Sequence, residues 1–280
     1  MFRPEQMETG NANSVNQQGC ITRPSFVAEM RRKMGKMGVG KMENGGQVPV
    51  KSCYNPDMAR NPRIDVGGYA YHVLNRANAR LPIFFKEEDY EMLESILEDA
   101  YEKYDMRILA YCLMPNHFHL VLYPQKDCDL QKFMQWVTLT HTQRWHTKNK
   151  TTGTGHLYQG RYKSVLVQDD EHLLGLIRYV ERNPLRAKLV KNLNNWRFSS
   201  YWRHRHGTAE QKRMLADWPI DVPKDYDAFI HDSITPEELS ELREAIQRHR
   251  LYGSENWTAN MKKKFKIPES KPPGRPTTGT

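Results

Sequence analysis

Ala110-Tyr-Cys-Leu-Met-Pro-Asn-His-Phe-His-Leu-Val-Leu-Tyr123 decides how this chain is read. Two apolar runs flank Pro115-Asn116, the pattern of two strands joined by a tight turn. Successive side chains of a strand point to opposite faces, so His117 and His119 project together while Phe118 points into the core. Two neutral imidazoles on one face offer half a site for a divalent metal. Taken alone, a His-x-His pair is more often an ordinary surface or core pair. The rest of the chain shifts the balance.

Working outward, element types alternate. Tyr69–Asn75 predicts a strand, and Glu87–Tyr104 a helix with Tyr90, Leu93, Ile96, Leu97 and Ala100 at helical spacing. Met106–Leu113 and His117–Tyr123 are the strands of the quoted stretch. Leu130 to about Thr147 predicts a second helix, Tyr162–Gln168 a fourth strand, and Asp169-Asp170 caps a third helix that runs to Arg182 and stops before Pro184. This order implies an α+β fold, a ferredoxin-like antiparallel sheet with helices packed on one face. A further helix is expected over Pro236–Arg250.

Three regions are expected: 1–57, rich in Gly, Asn, Gln, Met and Lys and read as a disordered N-terminal extension; 58–206, the folded domain; and 207–280, a polar helical extension ending in a basic tail with Lys262–Lys264 and Arg275. Met58 is a candidate translation start, which a mass spectrum of the native protein would test. Across 280 residues the hydrophobic content is 38% and the mean hydropathy −0.80, polar for one compact domain. A net charge of +9 suggests a polyanionic partner, most simply nucleic acid. Cys20, Cys53, Cys112 and Cys128 show no metal-finger spacing, so reduced thiols and a cytoplasmic location are expected. No run of about 18 apolar residues suggests a membrane span.

In the third helix Leu173, Leu176, Ile177 and Val180 form the stripe expected to face the sheet. Tyr179 falls on the flank of that stripe, and Asn183 follows one turn later along the same edge. A rim tyrosine and a helix-ending asparagine would be unremarked by themselves. Beside a paired-His strand they suggest a shared site.

Several blocks carry a family resemblance: Tyr71-His-Val-Leu-Asn-Arg76 with Pro82-Ile-Phe84, Met114-Pro-Asn-His-Phe-His-Leu-Val121, Tyr158-Gln-Gly-Arg-Tyr162, Arg178-Tyr-Val-Glu-Arg-Asn-Pro-Leu-Arg-Ala187 and Ser199-Ser-Tyr201. In this order and spacing they resemble the REP-associated tyrosine transposases, single-tyrosine members of the HUH endonuclease superfamily with an IS200-like transposase domain. The resemblance covers about residues 58 to 206. It implies that Tyr179 is the nucleophile, that His117, His119 and Asn183 hold Mg²⁺ or Mn²⁺, and that single-stranded DNA beside a palindromic hairpin is cut through a 5′-phosphotyrosine. Monomer and homodimer are both compatible with it.

Arg76, Arg161, Lys163, Arg178, Arg182, Arg186 and Lys188 are the candidate DNA contacts, each weighed against a merely solvated basic face. Tyr111, Tyr123, Tyr158 and Tyr162 rival Tyr179 but rank as packing or stacking residues. His141, His146, His156 and His172 are read as incidental, and Trp136 and Trp145 as core. Competing functions are a rolling-circle nicking endonuclease and a domesticated, non-catalytic hairpin-binding regulator. A generic metal hydrolase is disfavoured, because no Asp or Glu stands beside the paired histidines.

Overall fold

The computed structural model describes residues 63–248 and 251–267, which fall in the second of two compact units, Lys51–Thr280. Expectations for residues 1–57 and for Arg275 lie outside the described residues. The main elements are β1 (Ala70–Arg76), α1 (Glu87–Lys103), β2 (Met106–Met114), β3 (His117–Pro124), α2 (Asp129–Asn149), β4 (Lys163–Val167) and α3 (Glu171–Glu181). After these come α4 (Asn183–Arg186), α5 (Ser200–His206), α6 (Ala209–Lys212), α7 (Tyr226–His231), α8 (Pro236–Arg248) and α9 (Glu255–Lys264). Each strand and long helix expected from periodicity is present.

The sheet order is β2-β3-β1-β4 with every neighbouring pair antiparallel. β1 and β2 thus run the same way with β3 between them, which is the ferredoxin-like arrangement. Met114 pairs with His117, leaving Pro115 and Asn116 as a two-residue turn. That turn is pinned: the Ile83 N–H donates to the Pro115 carbonyl and the Ala77 N–H to the Asn116 carbonyl, both at 2.9 Å.

α1 and α2 share one face, where Leu93, Ile96, Leu97, Phe133, Met134 and Val137 pack with Tyr71, Val73 and Phe118. The expectation of helices on one face holds only for this pair. The opposite face is covered by α3, through Leu173, Leu176, Ile177 and Val180, and by Leu242, Ala245 and Ile246 of α8. The reason lies in β1, an inner strand buried along Ala70–Asn75 on both its faces. Such a strand needs cover on each side.

Asp170 caps α3, its side chain accepting from the His172 N–H at 2.9 Å. The helix ends before Pro184, which opens α4, where a missing N–H costs nothing. The later segments close onto the domain. The Leu113 N–H donates to the Phe198 carbonyl, and Tyr252 exchanges backbone bonds with Leu166 and Gln168, each at 2.9 Å. α9 falls where the sequence predicts only a basic tail; it packs on the core through Trp257 and Met261, with Phe265 just past its end. Cys112 is a buried free thiol. Among the described residues no helix is long and apolar enough to cross a membrane.

Candidate active site

β-Sheet register collects the site. Leu74 pairs with His119 and Arg76 with His117, and on its other side Leu74 pairs with Lys163. Directly paired residues share a face, so His72, Arg76, His117, His119 and Lys163 all sit on the side that α3 covers. The rings of His117 and His119 are 5.0 Å apart, and Tyr179 meets His119 edge-on at 5.8 Å and His72 at 6.3 Å. Tyr179 is 6% exposed and Asn183 2%. The strand histidines and the helix tyrosine therefore converge across the helix–sheet interface of one chain.

Hydrogen bonds orient the rings. His117 Nδ1 lies 2.7 Å from Asn116 Oδ1. A carbonyl oxygen only accepts, so Nδ1 carries the proton and Nε2 is left with a free lone pair for a metal. His119 Nδ1 faces His72 Nε2 at 2.9 Å. Burial holds all three imidazoles neutral at pH 7: it lowers His72 to about 3 and His119 well below its ordinary value. His117 is lowered to about 4 by burial and then by the charges of Arg76 and Arg186. Neutral imidazole is the form a metal ligand needs.

Arg186 links the parts. Its guanidinium lies 4.1 Å over the Tyr179 ring and donates to Asn183 Oδ1. Asn183 Nδ2 donates in turn to the carbonyls of Tyr179 (3.0 Å) and Val180 (3.2 Å), which leaves the amide oxygen facing Arg186. An amide oxygen has two lone pairs, so Oδ1 can accept from Arg186 and still take a cation. Two imidazole nitrogens and an amide oxygen suit a divalent ion of the Mn²⁺ or Mg²⁺ type. A second group, Asp170, Glu171 and His172, brings three ligating atoms within 4.8 Å of one another at the start of α3. There Asp170 Oδ1 is already taken by the His172 N–H and by His172 Nδ1, and the group lies seven to nine residues before Tyr179, at the start of the helix.

Other expected site residues fall elsewhere. Arg178, 9% exposed, pairs with Asp232 (3.3 Å) and Glu238 (3.2 Å) and lies over the Phe229 ring. Arg182 donates to the Ile230 carbonyl at 2.8 Å. Both face the C-terminal extension, whose approach no local pattern announces. Arg161 and Lys188 are exposed, and Arg76 and Lys163 half-buried. Among the rival tyrosines, Tyr111 is fully buried against Glu94 (2.6 Å) on the α1 face, Tyr158 bonds His141 (2.5 Å), and the Tyr123 hydroxyl donates to the Gly68 carbonyl (3.0 Å). Arg63 lies 4.0 Å over the Tyr162 ring. His72 was passed over in the sequence; its parity on β1 was visible, but not its register against β3.

Residues 65–183, which hold the sheet, the paired histidines, Tyr179 and Asn183, match the family described as Transposase IS200 like. The likeness to REP-associated tyrosine transposases extends to curated relatives. The chain is 22% identical over 157 residues to the REP-associated tyrosine transposase of Escherichia coli K12, covering 56% of this chain and 87% of that one. It is 26% identical over 124 residues to a relative from Haemophilus influenzae named for the same group, covering 41% and 69%. A solved structure of a REP-associated tyrosine transposase bound to a REP hairpin aligns with 64% of this chain and 99% of its own, at 20% identity and a TM-score of 0.45.

Proposed function

We propose that this chain cuts and rejoins single-stranded DNA at palindromic-repeat hairpins through a covalent link to Tyr179. The observation that carries the reading is the 5.8 Å approach of the Tyr179 ring to His119, inside a domain of the IS200-like transposase family. Phenols in water ionise near pH 10, so attack at neutral pH needs help with proton and charge. Tyr179 Oη attacks the scissile phosphorus; the new P–O bond forms as the bond to the 3′ oxygen breaks. The phenolic proton leaves and the departing oxygen takes one up, giving a 5′-phosphotyrosine and a free 3′-hydroxyl. His117 Nε2, His119 Nε2 and Asn183 Oδ1 would hold Mg²⁺ or Mn²⁺, which supplies polarisation of the phosphate. Because the phosphodiester is kept as a phosphotyrosine ester, a second 3′ end can reverse the step without ATP.

Arg186, over the nucleophile, is placed to meet the phosphate charge. Arg76 and Lys163 on the site face, with exposed Arg161 and Lys188, are the remaining candidates for backbone contacts. Arg178 and Arg182 are spent on the fold. The reading holds for a monomer or a homodimer, acting in the cytoplasm where the DNA is. Incubation with labelled single-stranded DNA carrying an imperfect palindrome from beside the gene, with Mn²⁺, should give a covalent adduct. Tyr179→Phe should abolish the adduct while binding persists; adducts surviving in that variant would overturn the assignment.

A further inference from the structure

His72 is the one imidazole at the site to which the reading above gives no task. It is 1% exposed and stacked on His119 with ring centroids 5.1 Å apart and planes within 8°. Its Nε2 lies 2.9 Å from His119 Nδ1, and its own Nδ1 is buried without a partner. A third-ligand role does not fit this arrangement. Among the described residues the only three His, Cys, Asp or Glu side chains whose ligating atoms all lie within 4.8 Å of one another are Asp170, Glu171 and His172. His72 therefore touches a candidate ligand without joining it in a cage.

We propose that His72 is a positioning residue that accepts the His119 Nδ1 proton and so leaves His119 Nε2 bare for the metal. The proposal rests on the reading of His119 as a ligand. The 2.9 Å contact admits two proton arrangements. If His72 Nε2 donates, the His119 proton sits on Nε2 and that nitrogen cannot ligate. If His119 Nδ1 donates, Nε2 keeps its lone pair. Only the second is compatible with a metal, and His72 is the only hydrogen-bond partner of His119 Nδ1 among the described residues. Register makes the contact obligatory: His72 pairs with Val121 and Leu74 with His119, so the two rings are diagonal neighbours across β1 and β3. A partner that fixes a ligand's tautomer and ring plane is worth about 10- to 100-fold in metal affinity.

The test uses the full chain and Mn²⁺ alone. Long-range ¹H–¹⁵N correlations of the histidine rings should show His119 protonated at Nδ1 in the wild type and lose that single tautomer in His72→Phe, which keeps ring bulk without the acceptor. Free-Mn²⁺ electron paramagnetic resonance should show affinity falling about 10- to 100-fold in His72→Phe and largely recovering in His72→Gln, whose amide oxygen accepts. A wild-type His119 protonated at Nε2 overturns the proposal, whether or not His72→Phe folds. So does equal Mn²⁺ affinity in wild type and His72→Phe, with the metal site itself standing. Wild-type chain that binds no Mn²⁺ would instead defeat the ligand reading, and the tautomer measurement would still decide the role of His72.

Discussion

Glu181→Gln should remove one step from the pH dependence of folding stability. Glu181 ends α3, is fully buried, and accepts hydrogen bonds from the hydroxyls of Ser200 and Tyr226, which tie the nucleophile helix to α5 and α7. Burial pushes its carboxyl up from an ordinary value of 4.5 to about 7, the two hydrogen bonds opposing only in part. Between those values the native chain holds a proton that the unfolded chain has released. Stability therefore falls as pH rises through the window, with no penalty below it and the full penalty above about pH 7. At about 1.4 kcal/mol per pH unit the interval is worth roughly 3 kcal/mol. Gln keeps the volume and an acceptor oxygen but has no charge to desolvate. Urea unfolding followed by tryptophan fluorescence, near pH 5 and near pH 8.5, should show the wild type losing roughly 3 kcal/mol more than the variant. Parallel losses in the two proteins would refute the reasoning, because they would mean that Glu181 does not titrate differently in the native state.

Arg76→Ala, Lys163→Ala and Arg186→Ala should each flatten the salt dependence of single-stranded DNA binding by about 0.7 in log–log slope, the value of one phosphate contact. Arg178→Ala should leave that slope unchanged and instead lower the urea midpoint, since its guanidinium is held by Asp232 and Glu238; a lost phosphate contact there would show the ion pairs to be dispensable. Phe118→Ala, which empties a fully buried site packed on Tyr158, should cost about 3–5 kcal/mol in thermal or urea unfolding. Chelation with EDTA should stop adduct formation and excess Mn²⁺ should restore it, whereas adducts formed at full rate in chelator would remove the metal from the mechanism.

Much of the frame is legible in the residues. Alternation in Tyr71–Leu74 and His117–Leu122 and the stripe Leu173, Leu176, Ile177, Val180 announce strands and helix at close to their observed bounds. The same parity that buries Phe118 puts His117 and His119 on one side, and helical spacing keeps Tyr179 and Asn183 on one edge. Illegible were α9, which falls where the sequence predicts only a basic tail, and the fates of Arg178 and Arg182. Those two look like free cations until Asp232, Glu238 and the Ile230 carbonyl are brought beside them from about fifty residues away.

The sequence by itself determined which way each side chain leaves its own element, because periods of 2 and 3.6 are properties of local backbone geometry. It determined the strand and helix order and the common face of the paired histidines. Only the tertiary structure decided what each face meets: that α3 covers the histidine side of a sheet clothed on both faces, that His72 stands against His119, and that Arg186 rather than Arg178 faces Tyr179. Those outcomes depend on strand register and on segments distant along the chain, and contacts between distant residues leave no trace in the spacing of near ones.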